Sequence, residues 1–179
     1  MNSPFLEAMD VKSTERAMKE SLSSALGRNP TYSGEEVGNE RVQFRTEWAK
    51  LIREESERYT ELVGDVAHCQ AISRISKALS DKFCNILLGG QLRYGTSQKA
   101  FNLYLKYIWH LESRSVPPPH CPVDHVMLEL VGVGAAWTRC NSVAEYMSWV
   151  QRLRAKAHPL PLALWEDRVW FDEWRKNNR

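Results

Sequence analysis

Apolar residues recur every three or four positions along most of the chain, which is the spacing of amphipathic helices. The pattern is clearest after Asp65, where it continues to the glycine pair at 89–90. A glycine or proline just past the last periodic residue is a signal for the end of a helix. The sequence therefore predicts helices at about residues 7–26, 41–59, 65–88, 97–112, 125–132, 143–157 and 161–177.

These helices predict a compact all-α domain that covers residues 1–179. A chain of 179 residues is long enough for one domain with a hydrophobic core and short for two. The segment 97–112 is apolar nearly all round, so we expect it to be the buried central helix. Residues 1–39, a helix followed by a polar loop, are placed at the periphery. The sequence leaves open whether they pack on the domain or reach a partner.

Charge and cysteine content narrow the function classes only slightly. A net charge of +2 does not indicate a nucleic-acid-binding protein, but residues 91–115 and 139–156 are locally basic and such a face binds phosphates. The alternative is that both stretches are ordinary solvated helix faces. Four cysteines without a CxxC pair argue against a zinc or iron–sulfur site and fit reduced thiols. Neither a leader-like start nor a run of roughly 18 apolar residues is seen, so we expect a cytoplasmic monomer without membrane contact.

The stretch "GGQLRYGTSQK" joins two predicted helices through a glycine-bearing turn. The free backbone N–H groups of such a turn, and of the helix start after it, form a natural phosphate site. Gly95 permits close backbone approach, and Thr96 and Ser97 can donate to the phosphate. The side chains just before the turn, including Arg93 and Tyr94, are long enough to reach into a duplex. The alternative is a plain connection between helices.

Lys99 is predicted to lie in the first turn of the apolar helix at 97–112. Partial desolvation and the positive end of the helix dipole both favour its neutral amine, which is the form that a Schiff-base nucleophile needs. Lys106 lies seven residues further on much the same face and is the reserve candidate. The alternative for either lysine is that its ammonium group reaches solvent.

Asp124 follows a proline-rich loop and is predicted to be the N-cap of the next helix. A carboxylate fixed in this way can stabilise the cation that develops at a sugar C1′ and can orient a nucleophile. Either the loop that contains Pro117, Pro118, Pro119 and Pro122 is only a turn and Asp124 is only a cap, or the loop holds Lys99 and Asp124 against each other.

The combination of "SQKAFNLYLKY" and "HCPVDH" resembles the helix-hairpin-helix DNA glycosylases, and most closely the archaeal 8-oxoguanine DNA glycosylase branch. The likeness covers roughly residues 88–133, and the turn "RYGTSQ" has one glycine where the family has Gly-x-Gly. The resemblance implies a helix-hairpin-helix DNA-binding element, with Lys99 as the nucleophile that attacks C1′ and Asp124 as the group that activates it. It also implies that residues 95–98, from Gly95 to Gln98, hold the DNA backbone.

The expected function is therefore a DNA glycosylase that flips and excises a modified base from double-stranded DNA and leaves an abasic site. The base is oxidised guanine by resemblance, or a hypermodified base of phage type, which would give the enzyme an anti-phage or phage-encoded role; strand cleavage follows if the lysine attacks directly. No cofactor or metal is expected, and candidates for the base pocket are Trp109, His120 and His125. The alternatives are a base-modifying enzyme of phage DNA hypermodification, a non-catalytic helical DNA-binding protein, and a structural all-α protein.

Overall fold

The computed structural model describes residues 3–27, 30–34 and 39–177, and in this part of the chain the predicted all-α class is confirmed. Helices joined by loops form a compact body without a β-strand among the described residues. The α-helices are α1 (Pro4–Ala8), α2 (Thr14–Leu26), α3 (Glu40–Ser56), α4 (Asp65–Phe83), α5 (Tyr94–Leu111), α6 (His125–Leu130), α7 (Val143–Ala157) and α8 (Leu162–Asn177). Short 3-10 turns lie at Glu57–Thr60, Leu88–Gly90 and Trp137–Arg139.

The helix α5 lies at the centre of the molecule, as its apolar composition predicts. Every residue from Tyr94 to Ile108 is buried. The helices α1, α2, α3 and α4 all contact α5, and α2 does so most extensively. The described part of residues 1–39 therefore packs on the domain, which answers the question that the sequence left open. The apolar face of α2 that turns inward consists of Ala17, Met18, Leu22 and Ala25.

Two of the helix boundaries that differ from the prediction lie in the first half of the chain. The predicted helix at 7–26 is two helices: Asp10 has a left-handed backbone (φ 48°), and the Ser13 hydroxyl accepts from the Arg16 N–H to begin α2. The helix α4 ends at Phe83. After a turn at residues 84–86, Leu87 forms an isolated antiparallel bridge with Tyr32, and the Leu88 N–H donates to the Thr31 carbonyl at 2.9 Å.

The central helix α5 begins at Tyr94, three residues earlier than predicted. The first backbone N–H groups of α5 are bonded within the protein: Tyr94 N–H donates to Asn141 Oδ1 (3.2 Å) and Gly95 N–H to the Cys140 carbonyl (2.9 Å). This corrects the expectation that both groups are free for a phosphate. It also places Lys99 in the second turn of the helix rather than the first.

Candidate active site

Lys99 and Asp124 form a direct ion pair, although 25 residues separate them in the chain. Lys99 Nζ lies 2.6 Å from Asp124 Oδ2, and the two side chains are only 10% and 22% exposed. The other carboxylate oxygen, Oδ1, accepts from the Met127 N–H at 3.3 Å, so Asp124 is the predicted N-cap of α6. The structure thus places Asp124 as a cap and against Lys99 at the same time, with one oxygen used for each contact.

The carboxyl group of Asp124 is stabilised in its ionised form. Burial raises the pKa of Asp124, but the charge of Lys99, its hydrogen bond and the Met127 N–H more than offset burial, so the pKa lies below its ordinary value. An ionised carboxylate that is fixed in this way can stabilise a positive charge that develops beside it.

The ion pair lies between two cavities, because both side chains line each of them. The first, which we call the aromatic cavity, has a volume of about 360 Å³. The second, the polar cavity, has a volume of about 670 Å³ and is lined by Ser23, Ser24, Gly27, His125 and residues 135–138. Both volumes are in the usual range of small-molecule sites, roughly 300–1,000 Å³.

The walls of the aromatic cavity combine apolar side chains with a second buried ion pair. Lys106 Nζ lies 2.9 Å from Glu166 Oε2 and 3.2 Å from Asp167 Oδ1. The same ammonium group lies 4.2 Å from the centroid of the Phe5 ring and 5.4 Å from that of Trp170, within the range of cation–π contacts. The remaining walls come from Met9, Leu103, Pro122, Val126, Met127 and Val169, with Ser24 between the two cavities.

The proline-rich loop before Asp124 is tied to α4 and α7 through His120. His120 Nε2 lies 3.1 Å from Asp65 Oδ1 and Nδ1 lies 2.8 Å from the Tyr146 hydroxyl. Because ionised Asp65 can only accept, His120 donates through Nε2 and accepts the Tyr146 proton at Nδ1. Burial lowers the pKa of His120 to about 4, which fits this neutral form. Arg154 completes the tie with two bonds to Asp65, at 2.6 and 2.7 Å, and one to the Pro119 carbonyl.

Only one of the three residues predicted for the base pocket lines a cavity beside the ion pair. His125 is exposed and lines the polar cavity. His120 is buried in the network that holds the loop, and Trp109 is half-buried with its ring against His110, at 4.5 Å between centroids. Neither lines the two cavities beside the ion pair, and their place in a base pocket stays a prediction.

The residues predicted to hold DNA are mostly buried. Four of them, Tyr94, Thr96, Ser97 and Gln98, are at most 4% exposed, and their contact with a DNA backbone stays a prediction. Gly95 does permit a close backbone approach, but the group that approaches is the Trp137 carbonyl, whose oxygen lies 1.9 Å from the position of an added Cβ. Arg93 is half-buried and donates to the Thr138 carbonyl at the polar cavity, so it remains at an accessible edge.

The functional candidates that the sequence missed are Phe5, Glu166 and Trp170, which line the aromatic cavity. They lie at opposite ends of the chain, and each fits an ordinary amphipathic helix by its spacing. One signal in the sequence could have indicated this cavity. Glu166 lies four residues before Trp170, so both side chains lie on the same face of α8, and a carboxylate on an apolar face is unusual.

No protein-family model matches the chain, and neither a curated protein nor a solved structure is significantly similar to it. The resemblance at residues 88–133 therefore rests on its motifs, and the activity has to be argued from the site. In the described ranges, no helix is long and apolar enough to cross a membrane. The same residues contain no group of three or more His, Cys, Asp or Glu side chains arranged to bind a metal ion.

Proposed function

We propose that the protein is a DNA glycosylase that uses Lys99 and Asp124 to excise a modified base from double-stranded DNA. The observation that carries the proposal is the 2.6 Å contact between a buried lysine and a carboxylate at the junction of two cavities. A lysine nucleophile needs an adjacent group that accepts its proton, and an extruded base needs a pocket that excludes water. Here a carboxylate in contact with the lysine and a cavity with apolar walls meet at one point.

The pair supplies a proton path for the reaction. One proton moves from the Lys99 ammonium to Asp124, and the resulting amine attacks C1′ of the sugar. The C1′–N bond breaks, its electron pair leaves with the base, and Asp124 passes the proton to the base nitrogen. The carboxylate then removes a proton from the new C–N linkage and delivers it to O4′ as the ring opens to an iminium ion. Addition of water to the iminium releases Lys99 and leaves an abasic site.

The aromatic cavity is the side of the ion pair that suits the base. Phe5 and Trp170 supply apolar ring surface, and Lys106 and Glu166 supply a donor beside an acceptor. A base edge with a carbonyl oxygen next to an N–H is complementary to that pair, and guanine-type bases and 5-substituted uracils both have such an edge. Oxidised guanine and a phage-type hypermodified base both remain in the proposed substrate class.

The polar cavity then faces the sugar and the phosphate backbone. Its accessible basic edge is Arg93, and the exposed Arg139 follows Thr138 in the chain. The exposed His125 side chain lines the same cavity. Cations at this edge would contribute a salt-dependent, sequence-independent part of DNA affinity. In this proposal DNA binding does not rely on the buried side chains at the start of α5.

Borohydride trapping tests the proposal, because borohydride reduces a lysine–sugar iminium to a stable adduct. The substrates are duplexes with plain sequence, 8-oxoguanine, uracil or hydroxymethyluracil, and phage DNA with modified cytosine or thymine. Free base is measured by mass spectrometry in parallel. The variant is Lys99→Gln, and its matched control is Lys77→Gln, which removes an exposed Lys–Asp pair of 2.8 Å on α4.

The expected result is an adduct on one of the modified duplexes that Lys77→Gln retains and Lys99→Gln loses. Base release without an adduct would contradict attack by the lysine and indicate activated water instead. A change in the mass of the base without its release would indicate a base-modifying enzyme. Binding without either reaction would overturn the catalytic proposal in favour of a DNA-binding protein.

A further inference from the structure

The Gln98 side chain links helix α5 to the backbone of the loop just before Asp124. It is fully buried, with 0% exposure, and both ends of its amide bond to Val123. Its Nε2 donates to the Val123 carbonyl at 2.6 Å, and its Oε1 accepts from the Val123 N–H at 3.2 Å. Gln98 directly precedes Lys99 and Val123 directly precedes Asp124. One amide therefore connects the backbone beside the amine with the backbone beside the carboxylate.

Asn102, one turn further along α5, fixes the orientation of this amide. Its Nδ2 donates to Gln98 Oε1 and to the Cys121 carbonyl, both at 3.0 Å, and also lies 3.0 Å from the Tyr146 hydroxyl. A flipped Gln98 amide would place its NH₂ against the Asn102 NH₂ and against the Val123 N–H. The hydrogen-bond network therefore allows one orientation only.

We propose that Gln98, oriented by Asn102, is a positioning residue that sets the distance between Lys99 and Asp124. This inference rests on the proposed function for its catalytic consequence. A lysine side chain has four rotatable bonds and does not fix its own partner. The ties of His120 and Arg154 hold the loop at Pro119 and His120. The side-chain amides of Gln98 and Asn102 hold the last part of the loop, at Val123 and Cys121, to α5.

The structure also explains why this role needs an amide. The Val123 N–H and C=O are both buried, and each needs a partner of the opposite kind. Gln98 presents a donor and an acceptor side by side, which matches the peptide group. Alanine at this position leaves both groups unpaired, and the loop is then expected to shift so that they reach water. A misplacement of about 1 Å at a reacting centre can reduce the rate about 10²-fold.

The test uses Gln98→Ala in the full chain, with Ser21→Ala as the control. Ser21 is also fully buried and donates to a backbone carbonyl, that of Ala17, but this hydrogen bond lies within α2. Two readouts are compared. One is the single-turnover rate of base release on the duplex identified by trapping. The other is the titration of the Asp124 carboxyl carbon by NMR, which does not depend on activity.

We expect Gln98→Ala to reduce single-turnover base release about 10²-fold while binding of plain duplex stays within a factor of about two. The pKa of Asp124 should rise toward its ordinary value, since its contact with Lys99 is lost, and should not change in Ser21→Ala. Unchanged release and an unchanged Asp124 titration in Gln98→Ala would overturn the inference. If the wild-type protein releases no base, the proposed function fails, and the Asp124 titration still decides whether Gln98 positions the pair.

A Gln98→Glu variant separates positioning from general loss of stability. A protonated glutamic acid can still donate to the Val123 carbonyl and accept from its N–H, whereas the ionised form faces the carbonyl with an oxygen. The rate of this variant relative to wild type at the same pH should therefore increase as the pH falls. A relative rate that is independent of pH, in a protein that remains folded by urea titration, would contradict the role of the donor.

Discussion

Gly95→Ala should destabilise the fold, because the glycine makes room for the protein's own backbone. A Cβ added at Gly95 would lie 1.9 Å from the Trp137 carbonyl oxygen and 3.0 Å from its carbon, so the two segments must separate by about 1 Å. Such separation would also strain the bond from the Gly95 N–H to the Cys140 carbonyl. Overpacking costs about 1–3 kcal/mol and the weakened buried bond about 1–2 kcal/mol, against about 1 kcal/mol gained from alanine in a helix.

The net loss in the free energy of unfolding is therefore about 1–4 kcal/mol, measured by urea denaturation at neutral pH. At this chain length it corresponds to a decrease in Tm of about 2–16 °C. Gly134→Ala is the control, since nothing lies within 4 Å of a Cβ there and its stability should change by less than about 0.5 kcal/mol. Gly95→Ala with wild-type stability but weakened DNA binding would refute the reasoning and restore the expectation of a phosphate site at this turn.

Three further predictions follow from the polar contacts. The pKa of His120, about 4, lies below that of an unfolded histidine, about 6.5, so the unfolded state binds more protons in that window. Stability should therefore fall as the pH drops from about 6.5 to about 4, by up to about 1.4 kcal/mol per pH unit from this group. Urea titrations should show a shallower pH slope for His120→Gln, and an unchanged slope would contradict this assignment. A double-mutant cycle of Lys99→Gln and Asp124→Asn should give a coupling free energy of about 1–3 kcal/mol, and additive single effects would argue against the ion pair. Glu166→Gln should weaken binding of the modified duplex about tenfold without affecting plain duplex, and equal losses on both would place Glu166 outside the base pocket.

The two lysines of α5 illustrate how one helix can hold two charged groups in an apolar setting. Each ammonium group contacts at least one carboxylate from outside α5: Asp124 for Lys99, and Glu166 and Asp167 for Lys106. Removing one member of a buried pair leaves an uncompensated charge, which costs more than the pair contributes. Loss of activity in a lysine variant therefore has to be judged together with its stability.

The sequence by itself determined the features that depend on local spacing. The helical period predicted the all-α class and the central burial of α5. The cap at Asp124 followed from its place before an apolar run, and Ser142 caps α7 in the same way. Lys99 and Asp124 were candidates because one is a lysine in an apolar helix and the other a carboxylate after a proline-rich loop, and the resemblance of the motifs around them joined the two as a pair. These signals are short-range, so they do not require knowledge of what packs against them.

Only the tertiary structure decided what each buried polar group faces. The residue types at Thr96 and Gln98 are equally consistent with a bond to a phosphate and with a bond to the protein's own backbone. In the structure, Gln98 bonds to the backbone of Val123. The aromatic cavity likewise forms from Phe5, Lys106 and Trp170, which are far apart in the chain. Periodicity tells which side of a helix is buried, but not which helix covers it. That choice depends on contacts between distant segments, and these contacts brought the ammonium group of Lys99 to the carboxylate of Asp124.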